Sequence, residues 1–311
     1  MTTVSKSAPE LAQESSGKTG VRVRRHRWYV PLAFLAPVLI IQGTFLFAPL
    51  INTFVLSFTN VRTIGGGQFI GVDNFVRLAS DPAFHAAVGR SLLYVAVVVP
   101  TITALAIGLA LLLNTLMRGT TLVRTIVFSP MVMPMAIVAI LFEWLLRSDG
   151  MINQMLIAVN AINQPIRFLS DPSIAIFSLM TVTLWKGVAL YTLILLAALQ
   201  NASQELEEAA ELDGAGWLRR TVSVTLPQIR GTTLLIAILA AISSIRTFTE
   251  PYVMTGGGPG RSTETVVFYL FRQGVSPGTD AGYASAISVF LFALVVVVSL
   301  LRFLASRRVA V

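Results

Sequence analysis

Acidic and basic side chains are concentrated in one polar stretch of the chain, Asn201 to Pro227, which lies between two long apolar segments. Asn201 and Ser203 are suitable N-cap residues, and Gln204 follows Asn201 at the spacing of a capping box. The dipole of a helix beginning there favours the carboxylates that follow, and Gly214 predicts a turn at its end. A solvated charge run would have a similar composition, but the order of acidic helix, glycine turn and arginine pair favours a helix that contacts a partner protein. The charged residues of the stretch are Glu205, Glu207, Glu208, Glu211, Asp213, Arg219 and Arg220.

A second group of polar side chains lies inside the apolar segments. Lys186 follows Trp185 in one segment, and Tyr191 comes five residues later. Arg246 and Glu250 lie four residues apart in the next segment. A charge at bilayer depth is costly and commonly marks a substrate path, so these five residues are candidates for such a path. A structural role stays open: Lys186 could pair with another helix, and for Arg246 and Glu250 we favour pairing on one helical face.

Other familiar chemical signatures are missing from the sequence. The chain has no cysteine, and its histidines, His26 and His85, have no metal-ligand spacing. The glycine-rich loop Thr255 to Gly260 is not followed by the Gly-Lys-Ser/Thr of a phosphate-binding loop. We therefore expect no catalytic residue, no bound cofactor and no metal site in this chain. Its basic residues flank apolar segments, which is typical of membrane proteins and not of nucleic-acid binding.

The elements that must position these residues are membrane-spanning helices. The chain is 55% hydrophobic and 12% charged, whereas soluble domains carry roughly 25% charged residues, and its apolar runs are long enough to cross a bilayer. We predict an all-α polytopic membrane protein in which residues 1–27 form a disordered tail and residues 28–306 form the membrane domain. Pro130 and Pro134 predict a kink in the third span, and Pro227 fits the first turn of the fifth. The six predicted spans are about 29–58, 88–113, 124–146, 173–199, 228–251 and 281–304.

The distribution of basic residues predicts the orientation of these spans. Lys and Arg are concentrated in the N-terminal cluster, the stretch 201–227 and the C-terminal tail. Six spans place all three on the same side, which the positive-inside rule assigns to the cytoplasm. We therefore expect a multi-pass protein of the bacterial cell membrane with both termini, and the stretch 201–227, in the cytoplasm.

The spacing within the polar stretch resembles the EAA loop of permease subunits of binding-protein-dependent ABC importers. Glu208-Ala209-Ala210 is followed by Gly214, Val224 and Leu226-Pro227 at the family spacing, with Val224 in place of the usual isoleucine. The extension through Asp213 resembles the carbohydrate-uptake branch, and maltose-permease F-type subunits in particular. Further matches are 69–75, Asp81-Pro82, Thr255-Gly256-Gly257-Gly258-Pro259 and Thr263-Glu264.

This resemblance implies a type I ABC importer permease fold whose coupling loop, 201–227, docks on an ATPase subunit. It assigns a polar contact to Glu208, close approach to Ala209 and the turn to Gly214, and Ala210, Asp213, Leu226 and Pro227 complete the motif. It also implies a second permease subunit in a heterodimer, two ATPase subunits that bind ATP and Mg²⁺, an extracytoplasmic solute-binding protein and surrounding membrane lipid. The expected solute is a sugar or oligosaccharide. Glycerol 3-phosphate or another polyol-type solute remains an alternative, as does a stand-alone secondary carrier, which would usually contain internal repeats.

Overall fold

The structure is a computed structural model that describes residues 29–62, 66–115, 120–275 and 280–309. The described residues form α-helices joined by turns, with two isolated β-bridges and no strand among them. The predicted all-α class is therefore confirmed. The predicted disordered tail, residues 1–27, lies outside the described residues. The chain divides into two compact units, residues 1–50 and 51–311.

The first unit contains the predicted first span. Helix α1 (Tyr29–Gln42) continues through a π-helical segment, Gly43–Phe47, into α2 (Ala48–Leu56), which extends into the second unit. Residues Phe34–Leu56 are apolar and long enough to cross a membrane. Their large side chains, such as Phe34 and Phe45, are exposed, which suits a helix in contact with lipid.

The core of the second unit is built on two long helices, α4 (Pro82–Thr115) and α8 (Ala175–Gln200). Four-residue spacing places a buried stripe of α4 on one face, and α8 and a later helix, α12 (Arg230–Ile245), pack against it. The stripe consists of Tyr94, Val98, Ile102, Ala106 and Ala110. Helix α4 begins six residues before the predicted span because Asp81 caps it: its Oδ1 accepts hydrogen bonds from the N–H groups of Ala83 and Phe84, at 2.9 and 3.3 Å.

Two predicted spans are broken helices. The third consists of α5 (Thr120–Val132) and α6 (Met135–Leu146), and the axes of Leu122–Val132 and Met135–Ala158 meet at 100°. Proline accounts for this break, since Pro130 and Pro134 both lack an N–H for the helical ladder.

The predicted fifth span, about 228–251, is longer than the helix that the structure shows. Helix α12 covers only Arg230–Ile245, and a 71° bend separates it from Trp217–Gln228. Pro227 therefore lies in the short helix α11 (Leu226–Gln228), before the bend, and not in the first turn of the membrane helix. After α12 the chain leaves the helix at Arg246 and resumes a π-helical segment at Pro251–Thr255.

Short helices occupy loops that sequence analysis left irregular. These are α3 (Asp73–Ser80), α7 (Met151–Ala158) and α13 (Val266–Val275). Helix α7 is fixed by the buried amide of Asn153, which donates to the carbonyl oxygens of Arg147 and Ile166, at 3.1 and 3.0 Å, and accepts from the Ile166 N–H at 2.8 Å. Tertiary hydrogen bonds of this kind leave no periodic pattern in the sequence.

The last helix, α14, spans Ala281–Val309, and its residues Ala281–Val297 form a shorter apolar segment. Among the described residues, three helices are long and apolar enough to cross a membrane, and counting each bent pair as one span gives five. The multi-pass architecture is thus confirmed, whereas the count of six spans stays a prediction.

Candidate functional site

The coupling loop, residues 201–227, folds as the helix α9 (Gln204–Leu212) followed by a glycine turn and the helix α10 (Trp217–Arg220). Gly214 adopts a left-handed conformation with φ of 76°. Its N–H donates to the Glu211 carbonyl, and the Ala215 N–H donates to the Ala210 carbonyl, both at 3.0 Å. These two bonds form a Schellman motif with glycine at its left-handed position. The Glu-Ala-Ala-to-Gly spacing is therefore the spacing of a helix and its C-terminal cap.

The N-terminus of α9 differs from the predicted capping box. Ser203 occupies the N-cap position, but its side chain makes no capping hydrogen bond. The Asn201 amide instead donates to the Ala197 carbonyl at 2.7 Å, and Gln204 donates to Glu208 Oε1 at 2.8 Å. The Ser203 N–H donates to Gln228 Oε1 at 2.8 Å. A side chain from α11 thus takes part in holding the start of α9.

The acidic residues of α9 divide into two groups. Glu207 accepts a hydrogen bond from the Thr225 hydroxyl at 2.8 Å, and Glu211 forms an ion pair with Arg220. These two carboxylates tie α9 to the helical segment that follows. Glu205 and Glu208 are exposed, and so is Ala209. Glu208 and Ala209, to which the family resemblance assigns a docking role, are therefore both exposed on the surface of α9.

The remaining motif residues have different surroundings. Asp213 and Gly214 are exposed, Ala210 is half-buried, and a Cβ added to Gly214 would meet no atom within 4 Å. Leu226 is half-buried and packs against the main hydrophobic core, whereas Pro227 is exposed. Leu226 therefore anchors the loop and does not form part of an open surface.

The coupling loop also exposes apolar side chains that sequence analysis did not single out. Leu212 is 89% exposed, Leu218 67% and Trp217 59%. A groove of about 650 Å³ lies beside them, lined by Trp217, Leu218, Val222 and their neighbours. Their signal in the sequence was the presence of large apolar residues in a polar loop, which is a common mark of a protein contact.

A cavity of about 600 Å³ lies between α8, α12 and the break that follows α12. Pockets of this volume are typical of small-molecule sites. The spacing of three and four residues puts the α8 contributors on one face. The polar and aromatic lining consists of Thr183, Lys186, Tyr191, Ser243, Arg246, Thr247, Phe248, Thr249 and Glu250. Four of the five predicted path residues therefore share one cavity wall.

Glu250 is the buried carboxylate of this cavity, with 5% of its surface exposed. Its Oε1 accepts a hydrogen bond from the Thr183 hydroxyl at 2.6 Å, and that hydroxyl lies 2.5 Å from the hydroxyl of Tyr94. A hydroxyl has a single proton to donate, so Tyr94 donates to Thr183, which donates to Glu250. Sequence analysis missed Tyr94, because nothing in the pattern of α4 distinguishes it from other buried residues.

The favoured pairing of Arg246 with Glu250 is not found in the structure. Helix α12 ends at Ile245, so the two residues do not share a helical face. No carboxylate of the described residues lies within 4.0 Å of the side-chain nitrogens of Arg246 or Lys186. Lys186 is nevertheless close enough to Glu250 to interact with it electrostatically.

Trp185 does not line the cavity. Its ring packs against the ring of Phe142, with the centroids 5.2 Å apart, and 38% of the residue's surface is exposed. Consecutive residues of a helix are rotated by about 100°, and this rotation carries the Trp185 ring to the side of α8 that packs against Phe142. Elsewhere, the part of the chain that the structure describes contains no cluster of three metal-ligating side chains.

Comparisons with known proteins match these features to one family. Residues 102–311 match the family model described as "Binding-protein-dependent transport system inner membrane component". The chain is 34% identical to the trehalose/maltose transport system permease protein MalF of Thermococcus litoralis, over 84% of this chain and 88% of that protein. It is 32% identical to the lactose transport system permease protein LacF of Rhizobium radiobacter, over 88% and 93% of the two chains.

A solved structure has the same fold. It is the crystal structure of a bacterial alginate ABC transporter in complex with an alginate pentasaccharide-bound periplasmic protein. One of its chains superposes with a TM-score of 0.79 at 24% identity, covering 90% of this chain and 95% of that one.

Proposed function

Since this chain belongs to the family of inner-membrane components of binding-protein-dependent transport systems, we propose that it is the permease subunit of an ABC importer for a sugar or oligosaccharide. The relatives' sugar substrates support the substrate class. The chain serves as a membrane pathway, while ATP hydrolysis takes place in partner subunits that hold ATP and Mg²⁺.

The proposed assembly contains four further proteins. A second permease subunit completes the pathway as a heterodimer, two ATPase subunits bind on the cytoplasmic side, and a solute-binding protein delivers the solute from outside. The family description and the binding protein in the alginate transporter complex support the last partner. In this arrangement the chain crosses the membrane six times, and both termini and the coupling loop lie in the cytoplasm.

The observation that carries the proposal is the exposed helix α9 ending in the Schellman motif at Gly214. Its exposed residues Glu208 and Ala209 have the positions that the family motif gives to the ATPase contact. Leu226, at the other end of the loop, packs on the core of the membrane domain. Motion of a docked ATPase would therefore reach the pathway through this loop.

The substrate path is proposed to pass through the 600 Å³ cavity. Lys186, Tyr191, Arg246 and Glu250 line it, and Trp185 is omitted because it packs against Phe142 on a different side of α8. The break after α12 supports this placement, since irregular backbone at membrane depth is tolerated where it lines a cavity.

Substitution of Gly214 tests the coupling role. Asparagine and aspartate both tolerate the left-handed conformation better than other residues, and Gly214 has open space around it. We expect Gly214→Asp to abolish most ATP-dependent uptake, because its charged side chain projects into the ATPase interface. Gly214→Asn, the matched control, should retain more uptake, since it adds the same volume without charge.

The measurement is uptake by vesicles that contain the complete importer, together with the amount of ATPase that co-purifies with this chain. Both variants should reach the membrane in normal quantity. Full transport activity of Gly214→Asp would contradict the coupling role of this turn. Purification of the active transporter without any ATPase would instead favour a stand-alone carrier.

A further inference from the structure

The cavity wall has an excess of positive charge. Its lining residues include two cations, Lys186 and Arg246, and one carboxylate, Glu250. The carboxylate is buried and already accepts a hydrogen bond from Thr183 at 2.6 Å. The two cations therefore outnumber the carboxylate. The Glu250 carboxylate is directed toward Thr183 and not toward the open space of the cavity.

The two cations differ in their surroundings. Lys186 interacts electrostatically with Glu250, which offsets part of its charge. Arg246 is exposed and lines both this cavity and a second one beside α13 and α14, and its guanidinium forms no salt bridge with any described carboxylate. Its position at the C-terminus of α12 stabilises a cation through the helix dipole, and its guanidinium N–H groups donate no hydrogen bond to another described residue.

A guanidinium is suited to a particular class of ligand. Its planar fork matches the two oxygens of a carboxylate, and it holds its charge at every physiological pH. Phe248 also lines the cavity, but its ring packs against Tyr252 and Phe271, with centroids 5.1 and 5.0 Å away. Recognition of the ligand is therefore assigned to the arginine fork.

We propose that Arg246 binds the carboxylate of an acidic saccharide within this cavity, and that Lys186 strengthens the site. The inference rests on the proposed function and narrows its substrate class from saccharides in general to saccharides that contain uronic acid. A charge-assisted hydrogen-bond pair of this kind is worth about ten- to hundredfold in affinity.

The test compares an acidic with a neutral probe. The complete complex of this chain with its second permease and ATPase subunits is reconstituted in nanodiscs without binding protein. Binding of a trimer of galacturonic acid and of the neutral trimer of galactose is measured by saturation-transfer NMR. We expect the acidic trimer to bind at least about tenfold more tightly, with a preference that falls as salt is added.

Three variants locate the effect. Arg246→Gln should abolish the preference for the acidic trimer without changing the affinity for the neutral one, and Arg246→Lys should keep part of it. Lys186→Gln should reduce the preference less than Arg246→Gln does. Arg167→Gln is the matched control, because it removes the same charge from an exposed loop residue outside the cavity.

Equal affinity of the complex for the two trimers would overturn the inference, and so would a preference that survives Arg246→Gln. Failure of both trimers to bind would also overturn it. Co-purification of the ATPase and the uptake defect of Gly214→Asp do not depend on either probe, so the proposed function would then still stand.

Discussion

Glu264 is the most enclosed charge among the described residues, with 1% of its side chain exposed. Its carboxylate lies 3.1 Å from Arg272 and 3.7 Å from Arg261, while Arg90 donates to its backbone carbonyl at 3.0 Å. Neither carboxylate oxygen receives a hydrogen bond from the described residues. The carboxylate is therefore held by electrostatic attraction to Arg261, which follows the glycine-rich loop, and to Arg272 of α13, while Arg90 of α4 fixes its backbone.

Substitution of this carboxylate should destabilise the membrane domain. We expect Glu264→Gln to lower the free energy of unfolding by about 1–3 kcal/mol, because the arginines lose their counter-charge. The loss stays below that of a fully buried pair because Arg261 and Arg272 reach solvent. The measurement is thermal unfolding in detergent, followed by tryptophan fluorescence.

Asp149→Asn is the matched control for this prediction. Asp149 also faces an arginine, at 3.3 Å from Arg147, but 78% of its side chain is exposed. Exposed ion pairs contribute about 0–1 kcal/mol, so this variant should unfold close to the wild-type temperature. Equal losses in the two variants would show that burial of Glu264 does not matter.

Asp81 gives the protein a dependence on pH. Burial by itself raises the pKa of its carboxyl, but hydrogen bonds from the hydroxyls of Tyr269 and Tyr283 and from two backbone N–H groups lower it below its usual value. The tyrosine bonds reach across the fold from α13 and α14. They thus stabilise the charged carboxylate in the folded state only.

A depressed pKa contributes stability above the unfolded value, about 3.9, and loses it as the pH falls through the folded value. We therefore expect thermal stability to fall below about pH 4. Asp81→Asn should be less stable than wild type at pH 7 and should show a weaker decline in the acid range. Asp73→Asn, an exposed residue of α3, should follow the wild-type curve, and a steep acid decline in Asp81→Asn would contradict the prediction.

At the scale of single elements, α9 depends on side-chain ties to the helical segment that follows it. Its ion pair between Glu211 and Arg220 is partly shielded, whereas the neighbouring Arg219 is exposed and forms no salt bridge with a described residue. Since a surface ion pair is worth about 0.2–1 kcal/mol, Arg220→Gln should accelerate amide hydrogen exchange in α9 by up to about fivefold.

Arg219→Gln removes the same charge from the adjacent position and should leave the exchange of α9 unchanged. Hydrogen exchange followed by mass spectrometry of peptides from residues 204–212 provides the measurement. Equal acceleration in both variants would attribute the effect to net charge and not to the ion pair.

Elements with strong local signals were predictable from the sequence. Apolar length predicted α4 and α8, and the acidic run before Gly214 predicted α9 and the turn that ends it. Helix α7 was not predictable, because the buried hydrogen bonds of Asn153 hold it from a distance of up to thirteen residues. The early end of α12 was missed because the predicted span continued through residues 246–251, whereas the backbone leaves the helix at Arg246 and lines the cavity.

The residues of the candidate sites were likewise predictable from the sequence only in part. The spacing of residues 208–227 and its resemblance to a known loop predicted the coupling motif, whose role stays a prediction. Intramembrane charge pointed to three of the cavity residues, Lys186, Arg246 and Glu250. Tyr94 and Thr183 acquire their relation to Glu250 only through the packing of α4 on α8. Trp185 was predicted to face the path because it adjoins Lys186 in sequence, although adjacent helical residues face different directions.

The orientation of the whole molecule can be tested directly because the chain contains no cysteine. A single cysteine can therefore be introduced without removing others. Leu212→Cys, at a residue of α9 that is 89% exposed, should react with an impermeant maleimide in inside-out vesicles and not in intact cells. Gln164→Cys, in the exposed loop after α7, should react in intact cells and not in inside-out vesicles.

The predicted orientation is based on the concentration of arginine and lysine near the coupling loop and the chain termini. Permeabilised cells should label both variants, which controls for the accessibility of each cysteine. Labelling of Leu212→Cys in intact cells would reverse the proposed topology and place the coupling loop outside the cell.

The attachments of α9 also determine the mechanical stiffness of the coupling loop. Ser203 is held by Gln228, and Glu207 by Thr225. Gln228 and Thr225 flank Leu226, which packs on the membrane core. These two hydrogen bonds connect α9 directly to the residues on either side of Leu226, without passing through the glycine turn. We therefore expect α9 to move together with the residues at which the chain enters the core.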